Sequence, residues 1–96
     1  MDPGEVWLAD LGDERRRRVL VLSNRRFHSA SGRVLVAPAI DGPRDAVPFP
    51  WRVEVDGVVY AVDFLRGLPD SRLLERLGHA PTDATLAARR ALVHIT

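Results

Sequence analysis

Arg15–Asn24 reads RRRRVLVLSN. Four arginines run directly into Val19, Leu20, Val21 and Leu22, and Ser23 and Asn24 close the stretch. An apolar run this short, bounded by polar residues, predicts a strand covered on both faces, because no alternation leaves one face to water. It is too short for a self-sufficient helix. The arginines therefore stand at the mouth of a central strand, where a rigid element fixes the position of charge. Guanidinium groups held in that way suit a phosphate, which their planar fork meets with paired hydrogen bonds. The competing reading is a solvated turn in which the arginines pair with Asp13 and Glu14.

Working outward, Glu5 to Asp10 (EVWLAD) reads as the first strand, opened by Pro3-Gly4 and ended at Leu11-Gly12-Asp13. On the other side, Asn24 to Gly32 (NRRFHSASG) is rich in turn formers and reads as a loop. Arg33 to Pro38 is a third strand, stopped by its proline, and Asp41 to Asp45 begins a second loop that Pro48 and Pro50 prolong. Trp51 to Val55 alternates apolar and charged residues, and Asp56-Gly57 turns it into Val58 to Val62 as a two-residue hairpin. After Leu68, Ser71 to Leu77 is predicted to be helical, with Gly78 ending it. Thr82 or Asp83 caps a last helix running to about Val93. Strands first and helices after make an α+β chain, a small curled sheet or barrel covered by a C-terminal helix.

Ninety-six residues give one domain spanning 1–96, small enough to gain stability from a partner subunit. Hydrophobic content of 46% with 28% charged residues argues against disorder. The net charge of +1 does not by itself announce nucleic acid, yet six of the 14 basic residues lie between Arg15 and Arg26, and every one of the 14 is arginine. The absence of cysteine excludes disulfides and thiolate metal sites and fits a reducing cytoplasm. The N-terminus has no basic region followed by a long apolar stretch, so neither a signal peptide nor a membrane span is read there.

If the phosphate gripped by the arginines belongs to RNA, cutting the chain without a metal would need a proton acceptor for the 2′-hydroxyl, a donor for the leaving oxygen, and cations on the phosphate. Arginine supplies the last and is a poor base. Glu14, Asp41, Asp63 and His28 are the available proton acceptors. His28 is read first as a loop side chain in solvent, and Asp63 as either a capping acceptor or a site carboxylate. No two histidines have metal-ligand spacing, so neither metal nor cofactor is expected. Arg15, Arg16, Arg18, Asn24, Arg25, Arg26 and Arg44 could line a groove for single-stranded RNA, with Phe27 offering a stacking face. The run Arg17 to Asn24 would span about 23 Å, so its two ends cannot grip one phosphate together. Trp7, Trp51 and Tyr60 are read as core or dimer-interface aromatics rather than base platforms.

The opening Gly4-Glu5-Val6-Trp7-Leu8-Ala9-Asp10-Leu11, then Arg17 with the following VLVLSN, then Val34 to Pro38, Val62 to Arg66 and Leu73 to Gly78, in this order and spacing, resemble the MazF/PemK (Kid) family of type II toxin–antitoxin toxins. The resemblance covers nearly the whole chain. It implies a small SH3-like β-barrel of about five to seven strands with a C-terminal helix, MazF/CcdB-like, forming a homodimer. It also implies a metal-independent, sequence-specific endoribonuclease in the cytoplasm, neutralised by a cognate antitoxin. In the family an arginine acts with a threonine shortly after the Ala-Pro of the third strand. Matched by position, the arginine is Arg17 and the threonine falls on Ile40, with Asp41 next to it. Arg18 stands where proline is usual, and Phe64 follows Asp63 where glutamine is usual. The resemblance therefore assigns the catalytic role to Arg17; Asp41 is not an obvious replacement for the threonine, and Asn24 and Asp41 are read as lesser candidates, with Asp63 as a possible base. Its alternative is a relative that binds RNA, an antitoxin or another protein without cutting.

Overall fold

The structure, a computed structural model, describes residues 1–12, 15–41 and 50–95. Among the described residues, seven strands and two α-helices follow in the order β1 (Glu5–Ala9), β2 (Arg17–Val21), α1 (Arg25–Ser31), β3 (Arg33–Ile40), β4 (Arg52–Val55), β5 (Val58–Ala61), β6 (Arg66–Pro69), β7 (Leu73–His79) and α2 (Thr82–Ile95). The strands form one curled antiparallel sheet in the order β4-β5-β3-β2-β1-β7, with β6 also pairing with β3. β3 is long enough to change partner along one edge. Arg33 to Val36 pair with β6, and Ala39 and Ile40 pair with β5. That switch curls the sheet into a half-barrel. Pro38 does not stop the strand, which runs two residues past it.

The VLVL run does what its pattern demands. Val19, Leu20, Val21 and Leu22 are all buried, and their alternation feeds two separate cores. Leu20 and Leu22 pack with Val6, Ala37, Tyr60 and Val62, and with Ala88 and Ala91 of α2. Val19 and Val21 pack on the opposite face with Ala9, Val34, Val36, Leu68 and Leu73. Each such side chain contributes about 1.5–3 kcal/mol by leaving water. β2 is therefore the element on which both layers depend.

The Asp56-Gly57 hairpin is present, with both residues at positive φ (50° and 81°), the geometry whose twist matches the flanking strands. Gly4 is a second position that requires glycine. Its φ is 95°, and a Cβ there would meet His79 Cε1 at 2.7 Å and collide with Thr85 Oγ1. Its carbonyl accepts the Ala80 N–H (2.7 Å), and its own N–H reaches Val21 O (2.9 Å), tying the N-terminus to the approach to α2.

Two further expectations fail. Asn24 to Gly32 is not a loop but the helix α1 with both ends capped: Asn24 accepts the Phe27 N–H at 2.9 Å, and Gly32 at φ 68° closes it. The turn formers are its caps, and none of its residues is buried, so no apolar period marks it. Ser71 to Leu77 is not helical. A short 3₁₀ turn (Asp70–Arg72) leads into β7, which pairs with β1, and Gly78 lies inside that strand opposite Val6. Leucine, glutamate and arginine favour helix locally, but the unpaired edge of β1 offers backbone partners that outweigh propensity. The second loop lies largely outside the described residues.

Candidate functional site

Arg15 and Arg16 precede β2, and Arg17 and Arg18 are its first two residues; all four are exposed. The pleat then separates the last two. Arg17 pairs across β1 with Ala9 and shares the face of Val19, whereas Arg18 pairs with Leu8 and shares the face of Leu20. The arginine run is thus not one patch but two, one on each side of the sheet.

On the Arg17 face the neighbouring strand is β3, with Val19 opposite Pro38. Two residues further along each strand, alternation leaves Arg17 and Ile40 on that same face. Because β3 runs antiparallel to β2, it ends where β2 begins, and Asp41, exposed, follows directly. The structure thus brings Arg17, Ile40 and Asp41 to one end of the sheet. It carries Asn24, Arg25 and Arg26 to the other end of β2. There Asn24 is used as the helix cap, Arg25 pairs with Asp2 at 3.0 Å, and Arg26 is exposed. Glu14 and Arg44 lie outside the described residues.

Asp63 has a different place. It lies in the 3₁₀ turn Val62–Phe64 after β5, and its carboxylate takes both Arg52 Nε (2.7 Å) and Nη2 (3.0 Å). The guanidinium also lies 5.0 Å from the Phe64 ring centroid. The Arg52 hydrogen bonds hold the Asp63 carboxyl below its ordinary range, outweighing partial burial. A carboxylate held in this way is a poor proton acceptor, so the weight for proton transfer moves off Asp63. His28 is engaged as well, with Nε2 3.1 Å from Asp70 on the helix side of the sheet.

Sequence reasoning missed Glu5, a carboxylate that is itself buried. Burial pushes its carboxyl up, but the N–H groups of Asp2 (2.6 Å) and Trp7 Nε1 (3.1 Å), together with Arg76 at 3.3 Å, bring it below the ordinary value. Its role is to anchor the N-terminus to β1 and β7. Among the described residues no cluster of three or more His, Asp or Glu side chains could hold a metal ion, and no helix is long and apolar enough to cross a membrane.

Residues 2–96 match the family model described as PemK-like, MazF-like toxin of type II toxin-antitoxin system. Among solved structures, a MazE–MazF complex from Deinococcus radiodurans is similar at 26% identity and a TM-score of 0.79, covering 99% of this chain and 93% of that one. A mycobacterial endoribonuclease in complex with its cognate antitoxin superposes with a TM-score of 0.83 at 19% identity, covering 98% and 92%. Mycobacterium tuberculosis toxin MazF-mt6 gives 0.76 at 22% identity, covering 94% and 93%. These last two establish the shared fold alone. No curated protein matches the chain.

Proposed function

The chain belongs to the PemK-like, MazF-like toxins of type II toxin–antitoxin systems, and we propose that it is a metal-independent endoribonuclease that cuts single-stranded RNA. The observation that carries the reading is the position of Arg17. It opens β2, whose last three residues are buried, and it shares a face with Ile40 and a sheet end with Ile40 and Asp41. A guanidinium on so rigid a base donates to the non-bridging oxygens of a phosphate without reorganising during reaction.

In the proposed reaction the 2′-oxygen bonds to the neighbouring phosphorus while the bond from phosphorus to the 5′-oxygen breaks. The hydroxyl proton passes to a base, Asp41 or water, and the departing 5′-oxygen takes up a proton from that protonated base or from water. Arg17 neutralises the charge that gathers on the phosphoryl oxygens. The products are a 2′,3′-cyclic phosphate and a 5′-hydroxyl, and addition of water across the bond from phosphorus to the 2′-oxygen opens the cyclic ester to a 3′-phosphate. Asp63 contributes by fixing β4 against the turn after β5 rather than by accepting the proton. Arg15 and Arg16 extend the cationic mouth and guide RNA to it.

The working form is a homodimer, and the partner is a cognate antitoxin whose acidic, extended tail competes with RNA for the arginine-rich end. The MazE–MazF complex among the similar structures supports such a partner.

Ile40 favours one specific alternative, since isoleucine offers no hydroxyl where the resemblance leads one to expect threonine. The alternative is a toxin relative that binds RNA or its antitoxin without cutting. A cleavage assay with EDTA present, on wild type and Ile40→Thr, separates the two. Cutting by wild type, with the stated product ends, supports the nuclease. Cutting only after Ile40→Thr makes the natural chain a binding protein, and cutting by neither removes the nuclease reading.

A further inference from the structure

On the face opposite Arg17, a cleft of about 360 Å³ opens between β7 and the β4–β5 hairpin. Val6, Val55 and Val58 form apolar walls, and Arg18, Tyr60 and Asp56 contribute polar groups. Tyr60 is only 2% exposed as a residue yet lines the cleft, and among the described residues no buried side-chain polar atom is left unsatisfied, so its hydroxyl belongs to the cleft rather than to the dry core. The side chains of Arg18 and Asp56 form no hydrogen bond or ion pair among the described residues. Both are close enough to act on the Tyr60 phenol: burial raises its pKa most, Arg18 lowers it and Asp56 raises it further. A cation, a carboxylate and a phenol thus line one cleft together with the three valines.

Their chemistry excludes a bare phosphate as the best fit, since the Asp56 carboxylate would repel it. It suits a planar, neutral ligand with donors and acceptors on one edge. Asp56 accepts from an amino group, Arg18 donates to a ring nitrogen or carbonyl oxygen, and the Tyr60 hydroxyl serves as either. The valines supply the apolar faces. We propose that this cleft receives an unpaired nucleobase carrying an exocyclic amino group (adenine, guanine or cytosine) and so contributes to the choice of RNA sequence. As a role in sequence choice the proposal rests on the nuclease reading; as a binding site it does not. Arg17 and Arg18 are adjacent at the start of β2, so RNA passing over that strand end presents a phosphate to one face and a base to the other.

The test uses the intact protein, isotope-labelled, with nucleosides that carry no phosphate. Cytidine or adenosine should shift the Val55 and Val58 methyl and Tyr60 ring resonances, and uridine should bind about tenfold more weakly. Tyr60→Phe, which removes no protein hydrogen bond and should leave the fold intact, should weaken cytidine binding about tenfold. It should also alter which RNA sites are cut without lowering the rate at all sites equally. Resonances that ignore every nucleoside overturn the proposal, and so does equal binding of cytidine and uridine. Shifts produced as strongly by inorganic phosphate would make the cleft an anion site instead and also overturn it. The nucleoside titration keeps its meaning if the protein cuts no RNA, so a failed nuclease reading and a failed cleft remain distinguishable.

Discussion

Replacing Asp63 by asparagine distinguishes a structural clamp from a catalytic carboxylate. The structure gives Asp63 two short contacts to Arg52, whose side chain is 12% exposed against 29% for Asp63. Hydrogen bonds between charged groups contribute about 1.5–3 kcal/mol each when well shielded. Discounted for the water that reaches Asp63, and for the amide's ability to keep one contact, the substitution should cost about 1–2 kcal/mol in all. With a urea dependence of about 1 kcal/mol per molar for a small protein, the unfolding midpoint should fall by roughly 1–2 M at fixed protein concentration. The pH dependence has a definite sign. The Asp63 carboxyl is depressed in the folded state, chiefly by the Arg52 hydrogen bonds. Its contribution is therefore fully present above the unfolded carboxyl pKa of about 3.9 and disappears as pH falls through the lower folded value. Wild type and Asp63→Asn should differ at pH 7 and converge in acid, while RNA cleavage at pH 7, under conditions where both are folded, changes less than about threefold. Equal midpoints at pH 7, or a loss of cleavage by orders of magnitude in the folded variant, would refute the clamp and return Asp63 to the reaction.

Leu20→Ala should destabilise by about 2–5 kcal/mol, as read from chemical denaturation, because Leu20 is fully buried on the strand that divides the two cores. Gly4→Ala should lower the melting temperature by several degrees, since the added methyl meets Thr85 and His79 at a backbone angle that alanine avoids; an unchanged melting temperature would remove that contact from the account. Binding of an acidic antitoxin tail should weaken with salt and with the double charge reversal Arg15→Glu/Arg16→Glu, as titration calorimetry would show.

What could be read from the sequence was what local chemistry decides. The VLVL run was legible because all four residues are covered, and Asp56-Gly57 because two successive positive φ angles are a demand that few residue pairs meet. The helix α1 was hidden because its seven residues bury nothing and its caps look like a loop. β7 was hidden because its helix-favouring residues become a strand only when β1 supplies the partner. The site followed the same division. The separation of Arg17 from Arg18 was implicit in strand alternation. The binding of Asp63 by Arg52, eleven residues away, depends on how β4 and the turn after β5 meet, which no local pattern encodes. Tyr60 was correctly read as a core aromatic, but only the assembled fold shows that it also lines a cleft with Arg18 and Asp56.

The central claim is that Arg17 clamps the scissile phosphate, and single-turnover cleavage of a defined single-stranded RNA by wild type and Arg17→Ala, with EDTA present, tests it most directly. Loss of a charge-assisted clamp should slow cleavage by roughly two to three powers of ten while the melting temperature stays within a few degrees, because the Arg17 side chain is exposed and leaves both cores intact. Cleavage by a folded Arg17→Ala at the wild-type rate would contradict the account.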